Sequence, residues 1–195
     1  MFVESCEIEW SPLMVEIIIH GRGGQGVVIA SEVLASALFK EGKHVQAFPS
    51  FGAERRGAAV AAYLRFDDEP IQLRCQIYHP DHVIVLDETL LADQATTRTL
   101  KEGGSVVVNS RRNYDDSKLK KKFAVATVDA ITIAVRHRLG SPSAPIVNTA
   151  ILGAFSKATG LVSLDSIEKT IEEFVPTNQA DNVAATRAAF NLVKF

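Results

Sequence analysis

Val15-Glu16-Ile17-Ile18-Ile19-His20-Gly21-Arg22-Gly23-Gly24-Gln25-Gly26-Val27-Val28-Ile29 decides the fold. Its first six residues form a short β-branched run, the composition of a central strand. A glycine-rich turn, Gly21–Gly26, follows. Val27, Ile29, Ala30, Val33, Leu34, Ala37 and Leu38 then recur at helical spacing until Lys40-Glu41-Gly42 stops them. A second strand is expected at His44–Phe48, completing a strand–helix–strand unit with a right-handed crossover.

The alternation continues downstream. Ala59–Phe66 reads as a strand, Asp67-Asp68-Glu69-Pro70 as a turn and Ile71–Arg74 as another extended piece. Together they would make an antiparallel hairpin on one edge of the sheet. Val83–Leu86, Ser105–Asn109 and Phe123–Thr127 are apolar strands, the last two separated by the basic, turn-rich Ser110–Lys122. Asp129 is placed to cap a helix over Ala130–Leu139. After the loop Ser141–Pro145 the chain turns helical: Asn148–Thr159, Leu164–Phe174 with Asp165 and Glu168 in capping-box positions, and Asn182–Leu192. The expected class is α/β, an open, largely parallel sheet with helices on both faces. Residues 14–195 are expected to form a single domain behind an N-terminal extension, 1–13.

Composition narrows the function. The 195 residues are 47% hydrophobic and 23% charged with a net charge of −2, which fits a globular core and not a nucleic-acid coat. No apolar run reaches the ~18 residues that cross a bilayer. Met1–Leu13 carries Glu4, Glu7 and Glu9 and no basic residue, unlike a signal peptide, so the expectation is cytoplasmic, away from membranes and nucleic acid. The two cysteines, Cys6 and Cys75, cannot supply the four ligands of an iron–sulfur cluster. Cys75 reads as a buried or half-buried thiol. No Ser/His/Asp or Cys/His set suggests a nucleophile, so no catalytic residue is assigned.

Gly21-Arg22-Gly23-Gly24-Gln25-Gly26 matches the G-x-G-x-x-G pattern between a strand and a helix. Small residues let the backbone turn sharply and leave amides facing any anion at the helix start. The same loop could merely pack a strand tightly onto a helix, and the motif alone leaves both readings open. Two standard nucleotide sites lose ground. The second strand ends Gln46-Ala47-Phe48-Pro49 without the carboxylate that would hold a ribose. Val27 and Val28 stand where a P-loop places Lys and Ser or Thr.

Four segments carry a resemblance. They are Gly21–Val27; Phe51-Gly52-Ala53-Glu54-Arg55-Arg56-Gly57-Ala58; His79-Pro80-Asp81-His82-Val83-Ile84-Val85-Leu86-Asp87-Glu88-Thr89-Leu90-Leu91; and Val147-Asn148-Thr149-Ala150-Ile151-Leu152-Gly153-Ala154. In this order and spacing they resemble the gamma subunit or domain of pyruvate and related 2-oxoacid:ferredoxin oxidoreductases. The resemblance runs from about Val15 to the C-terminal helix. It implies a subunit of a complex with alpha, beta and delta type partners that oxidatively decarboxylates a 2-oxoacid, forms an acyl-CoA and passes electrons to ferredoxin. Thiamine diphosphate and iron–sulfur clusters would sit in the partner subunits only. The Phe-Gly-Ala-Glu-Arg form of the middle loop points to the pyruvate type.

For this chain the resemblance implies a part in holding coenzyme A. The candidate contacts are Gly21, Arg22, Gly23, Gly24, Gln25 and Gly26, with Arg55 or Arg56 making a forked contact to a phosphate. Glu54 with one of those arginines could instead be an ion pair that shapes the loop. Asn148 and Thr149 stand at a helix start, as an N-cap or as ligand contacts. Asp87 and Glu88 would cap Thr89–Ala92 or line the cleft. A stand-alone nucleotide- or acyl-CoA-binding regulatory module is the alternative from another class, with a monomer or a homodimer as the form of the isolated chain.

Overall fold

The computed structural model describes residues 14–50, 57–92, 95–114 and 118–195. Six strands, β1 (Val15–Arg22), β2 (His44–Pro49), β3 (Ala59–Asp67), β4 (His82–Val85), β5 (Ser105–Asn109) and β6 (Ala124–Val128), form one sheet ordered β2-β3-β1-β4-β5-β6. The pairs β1–β4, β4–β5 and β5–β6 are parallel, with Ile18 opposite Val83 and Val83 opposite Val106. β3 runs against both β1 and β2. β2 therefore runs parallel to β1, as the strand–helix–strand reading expects, but β3 is wedged between them. A small antiparallel pair, β7 (Gly140–Ser141) and β8 (Ala144–Pro145), replaces the expected loop there.

Alternation sorts the strand residues onto two faces. Ile17, Ile19, Leu64, Ile84, Leu86, Val107 and Ala126 join one core with residues of α1 (Val27–Lys40), α3 (Ala130–Arg136), α4 (Asn148–Thr159), α5 (Leu164–Phe174) and α6 (Gln179–Leu192). Val83, Val85, Val106, Val108 and Val125 face the other way, under Leu90 of the 3-10 turn Glu88–Ala92, Leu100, and Tyr114, Leu119 and Phe123. One short helix, α2 (Ala95–Arg98), adjoins that turn. Both faces are covered, but among the described residues every long helix lies on the first.

Several boundaries differ from expectation for local reasons. Ile71–Arg74 joins neither sheet. The Gln46 side-chain amide donates to the Ile71 carbonyl at 3.2 Å and Arg65 Nη2 to the Cys75 carbonyl at 2.7 Å. Side chains, not a ladder, hold this segment across the sheet, and Cys75 is exposed, not buried. The antiparallel edge is the β2–β3 pair. α3 ends at Arg136, and Arg138 just beyond it takes φ 56°. α5 is capped by Ser163, whose Oγ accepts from the Ser166 amide at 3.1 Å. Asp165 and Glu168 instead pair with Lys169 and Arg187.

The sheet's antiparallel side buries a charge. Arg65 is 0% exposed, with Nη2 3.4 Å from Glu16 Oε1 and its guanidinium carbon 5.6 Å from the centre of the Phe48 ring. Its Nε and Nη1 have no hydrogen-bond partner among the described residues. Burial raises the Glu16 carboxyl above its usual value against the pull of Arg65 and Lys101.

His82 opens β4 with Nδ1 2.7 Å from Ser105 Oγ. Burial holds its imidazole below the ordinary 6.5, opposed by Asp81. A depressed imidazole binds protons less well folded than unfolded. Its contribution is complete above about 6.5 and is lost as pH falls through the lower, folded value. Melting temperature is expected to fall on acidification from about pH 7.5 to about 5.5, and less steeply in His82→Gln. Equal slopes for the two proteins would refute this origin.

Candidate functional site

Because β1, β4, β5 and β6 point the same way, their carboxyl ends share one edge, where α/β sheets bind ligands. β1 runs through Gly21 into the turn that opens α1. Gly26, at φ 78°, is the residue on which α1 starts, and no side chain caps it. The left-handed conformation suits glycine. A Cβ here would also overlap the Asn148 side chain, which lies 4% exposed at the start of α4. Gln25 folds back so that its Oε1 accepts the Arg22 amide at 2.8 Å, while its own amide donates to the Arg22 carbonyl at 3.0 Å.

The loop's amides fall into two groups, those already bonded and those still able to donate. The Gly23 amide donates to the Ala58 carbonyl at 2.8 Å, and the Gly57 amide to the Gly23 carbonyl at 3.2 Å. Gly23 is thus committed to the strap entering β3. The amides of Gly24, Gly26, Val27, Val28 and Ile29 have no such acceptor among the described residues; the first bond of α1 is Ala30 to Gly26. That is the orphan-donor pattern of a helix start, here extended into the turn by Gly24.

Arg22 is a strut. Its Nε lies 2.9 Å from Asp87 Oδ2, Nη1 donates to the Gly57 carbonyl at 3.1 Å and Nη2 to Thr89 Oγ1 at 2.7 Å. Asp87 Oδ1 in turn accepts the Thr89 amide at 3.0 Å and its hydroxyl at 2.5 Å. Burial pulls the Asp87 carboxyl up, but the Thr89 bonds and Arg22 outweigh it and hold the group below its usual value. Asp87 therefore caps the 3-10 turn and neutralises Arg22.

A cavity of about 690 Å³ opens beside the loop, lined by Arg22, Gly23, Gly24, Gly26, Val27, Val28 and Ile29, with Pro49, Ser50, Val60 and Ala61 opposite. Gly21 and Gln25 are not on its wall; they shape the turn from behind. Glu54, Arg55 and Arg56 lie outside the described residues. Asn148 and Thr149 stand behind the loop. Val147 holds the N-cap position of α4; Asn148 Oδ1 accepts the Thr149 amide at 2.8 Å, and Thr149 Oγ1 donates to Asn182 of α6 at 2.7 Å. A second cavity of about 750 Å³ adjoins across β2, lined by side chains such as Phe48, Tyr63 and Gln76, and lacks a helix start.

Sequence reasoning missed the wall opposite the loop, because only the fold brings Pro49, Ser50, Val60 and Ala61 beside Gly24. It also missed the Arg22–Thr89 link, although Asp87 at a strand end was a usable signal. Gly26→Ala must adopt a left-handed backbone and displace Asn148. We expect a loss of about 1–3 kcal/mol, read by urea denaturation. Unchanged stability would mean that the turn re-forms elsewhere.

Comparison with known proteins matches residues 16–192 to the pyruvate ferredoxin/flavodoxin oxidoreductase family. The chain is 53% identical over 182 residues to a Thermococcus kodakarensis protein named pyruvate/ketoisovalerate oxidoreductases common subunit gamma, covering 91% of this chain and 96% of that one. It is 48% identical over 182 residues to the pyruvate synthase subunit PorC of Methanothermobacter marburgensis, covering 93% and 98%. The crystal structure of pyruvate oxidoreductase subunit PORC from Thermotoga maritima superposes with a TM-score of 0.78 at 39% identity, covering 93% of this chain and 98% of that one.

Proposed function

The chain belongs to the pyruvate ferredoxin/flavodoxin oxidoreductase family, and from that premise we propose that it is the gamma-type subunit of a 2-oxoacid:ferredoxin oxidoreductase of pyruvate type. It works beside alpha, beta and delta type subunits, which carry the thiamine diphosphate and the iron–sulfur clusters and reach ferredoxin. Its own part is to offer coenzyme A a cleft of backbone donors. The observation that carries this reading is the row of amides without an acceptor among the described residues, Gly24, Gly26, Val27, Val28 and Ile29, along one wall of the cavity.

Those residues fit an anion. Amides at a helix start carry partial positive charge and need no side chain to reach a phosphate oxygen. Arg22 adds little net charge, because Asp87 answers it. Further charge would come from Arg55 or Arg56, since Arg56 directly precedes Gly57, whose carbonyl Arg22 holds. Coenzyme A, when bound, supplies the thiol that accepts the acyl group. The chain's residues hold its phosphates, with the buried Val27 on the loop wall and the apolar Val60 opposite.

Two oxoacid classes share this reading. Relatives named as common to pyruvate and ketoisovalerate oxidoreductases are 53% and 50% identical to this chain. A shared subunit cannot select the oxoacid, so that choice falls to the partners. The test is affinity isolation from native extract, with 2-oxoacid- and coenzyme-A-dependent dye reduction assayed on the eluate. Larger partners bearing thiamine diphosphate and clusters are expected. In the assembled complex, Arg55→Ala or Arg56→Ala should raise the KM for coenzyme A by about tenfold with little change in kcat. Isolation of the chain without partners would favour the regulatory module, and unaltered acyl-CoA formation by both variants would sink the coenzyme A assignment.

A further inference from the structure

A second concavity opens at the same edge of the sheet, between the carboxyl ends of β5 and β6. It measures about 230 Å³ and is lined by Ser110, Arg111, Arg112 and Asn113 after β5, by Asp129, Thr132 and Arg136, and by Lys194 from the C-terminal segment. Lys194 is pinned there by its backbone: the Thr127 amide donates to its carbonyl at 2.8 Å, and its own amide to the Thr127 carbonyl at 2.9 Å. Among the described residues, Arg111, Arg112, Arg136 and Lys194 bring four positive charges to this lining, and Asp129 brings a carboxylate. That carboxylate is already engaged. It accepts the Thr132 amide at 2.9 Å and hydroxyl at 2.6 Å, and lies 3.3 Å from Arg111 Nε.

Among the described residues of this lining, four cations against one anion leave a surplus of three, in a chain whose net charge is −2. Like charges gathered around one concavity repel, and an anion seated among them relieves that repulsion. One more carboxylate would not balance the surplus, whereas a phosphoryl dianion nearly does, and guanidinium forks match its oxygens. The volume is too small for a nucleotide but holds a phosphoryl group with a few waters at about 30 Å³ each.

We propose that this cleft is a phosphoryl-binding site, distinct from the glycine-loop cavity, with Arg112, Arg136 and Lys194 as its main contacts and Arg111 as its hinge to Asp129. Adjacent strands are about 4.8 Å apart, so the cleft lies on the order of 12 Å along the sheet edge from the end of β1. Free phosphate and the terminal phosphate of a ligand seated in the glycine-loop cavity are both within its reach.

The probe is inorganic phosphate, added to the full chain at constant ionic strength and followed by amide chemical shifts. Saturable shifts are expected at residues 111–113 and 129–133, with affinity falling about tenfold or more in Arg112→Met/Arg136→Met. Arg112→Lys/Arg136→Lys should keep part of it. Should the double methionine variant melt early, the exposed Arg136→Met alone gives the same comparison. Coenzyme A and dephospho-coenzyme A separate the sources. A preference for the former that the double variant abolishes assigns the phosphoryl group to the larger ligand; equal affinity assigns it to free phosphate. Shifts that do not saturate, or that the double variant leaves unchanged, overturn the proposal. Because phosphate itself is the probe, failure of the coenzyme A reading does not decide the result.

Discussion

Glu16→Ala is expected to cost about 3–5 kcal/mol, a fall in Tm of roughly 6–20 °C for a chain of this size. The reason is Arg65, not the lost carboxylate. Arg65 and the Glu16 side chain are 0% and 8% exposed, and Glu16 is the guanidinium's acidic partner among the described residues. Removing it leaves a cation in the interior with two donors already unmatched. The double variant Glu16→Gln/Arg65→Met removes both charges and keeps the volume. It should recover to within about 1 kcal/mol of the parent, since a buried pair is often no more stabilising than an apolar replacement. A single variant as stable as the double would show that the interior solvates Arg65 without Glu16.

Gly153→Ala is the second large effect, and here two principles disagree about sign. Helix propensity favours alanine over glycine by about 1 kcal/mol in a helix interior. Packing says otherwise. A Cβ on Gly153 would collide with the Thr186 carbonyl oxygen on α6, well inside van der Waals contact, and crowd the Thr186 side chain. Backbone cannot rotate away as a side chain can. α4 and α6 are also locked by the Thr149–Asn182 bond and by Thr186 Oγ1, which donates to the Thr149 carbonyl at 3.1 Å. Separating them strains both bonds. We expect a net loss of about 3 kcal/mol, the upper part of the usual overpacking cost, measured by denaturant unfolding. A gain in stability would mean that propensity wins and the helices yield freely.

What was legible in the sequence was periodic. The β-branched run, the glycine turn and the helical spacing of α1 fixed strand, turn and helix, and the strands Ser105–Asn109 and Ala59–Asp67 emerged nearly intact. Strand order was not legible. β3 pairs with β1 and β2 through backbone bonds that any sequence can make, and nothing in Ala59–Asp67 announces insertion between two earlier strands. Ile71–Arg74 has extended character, yet Gln46 and Arg65 engage its stretch of backbone before any ladder can. At the site, the glycines were readable because their backbone demands are local. Arg22 was readable as a cation but not as a strut, because its partners lie 35 to 67 residues away in the chain. Asn148 and Thr149 were correctly seen at a helix start, but their burial against Gly26 and α6 depends on tertiary packing.

The wedged position of β3 has a consequence for synthesis. β1 receives its first strand neighbour only when β3 has emerged, so the hydrophobic Ile17–Ile19, which faces Leu64–Ala62, stays unmatched until Leu64, 64 − 19 = 45 residues after Ile19. At about 5–20 residues per second on the ribosome, that interval is roughly 2–9 s. During it the nascent chain exposes an adhesive strand, and a chaperone that holds short apolar segments would meet it before its sheet exists.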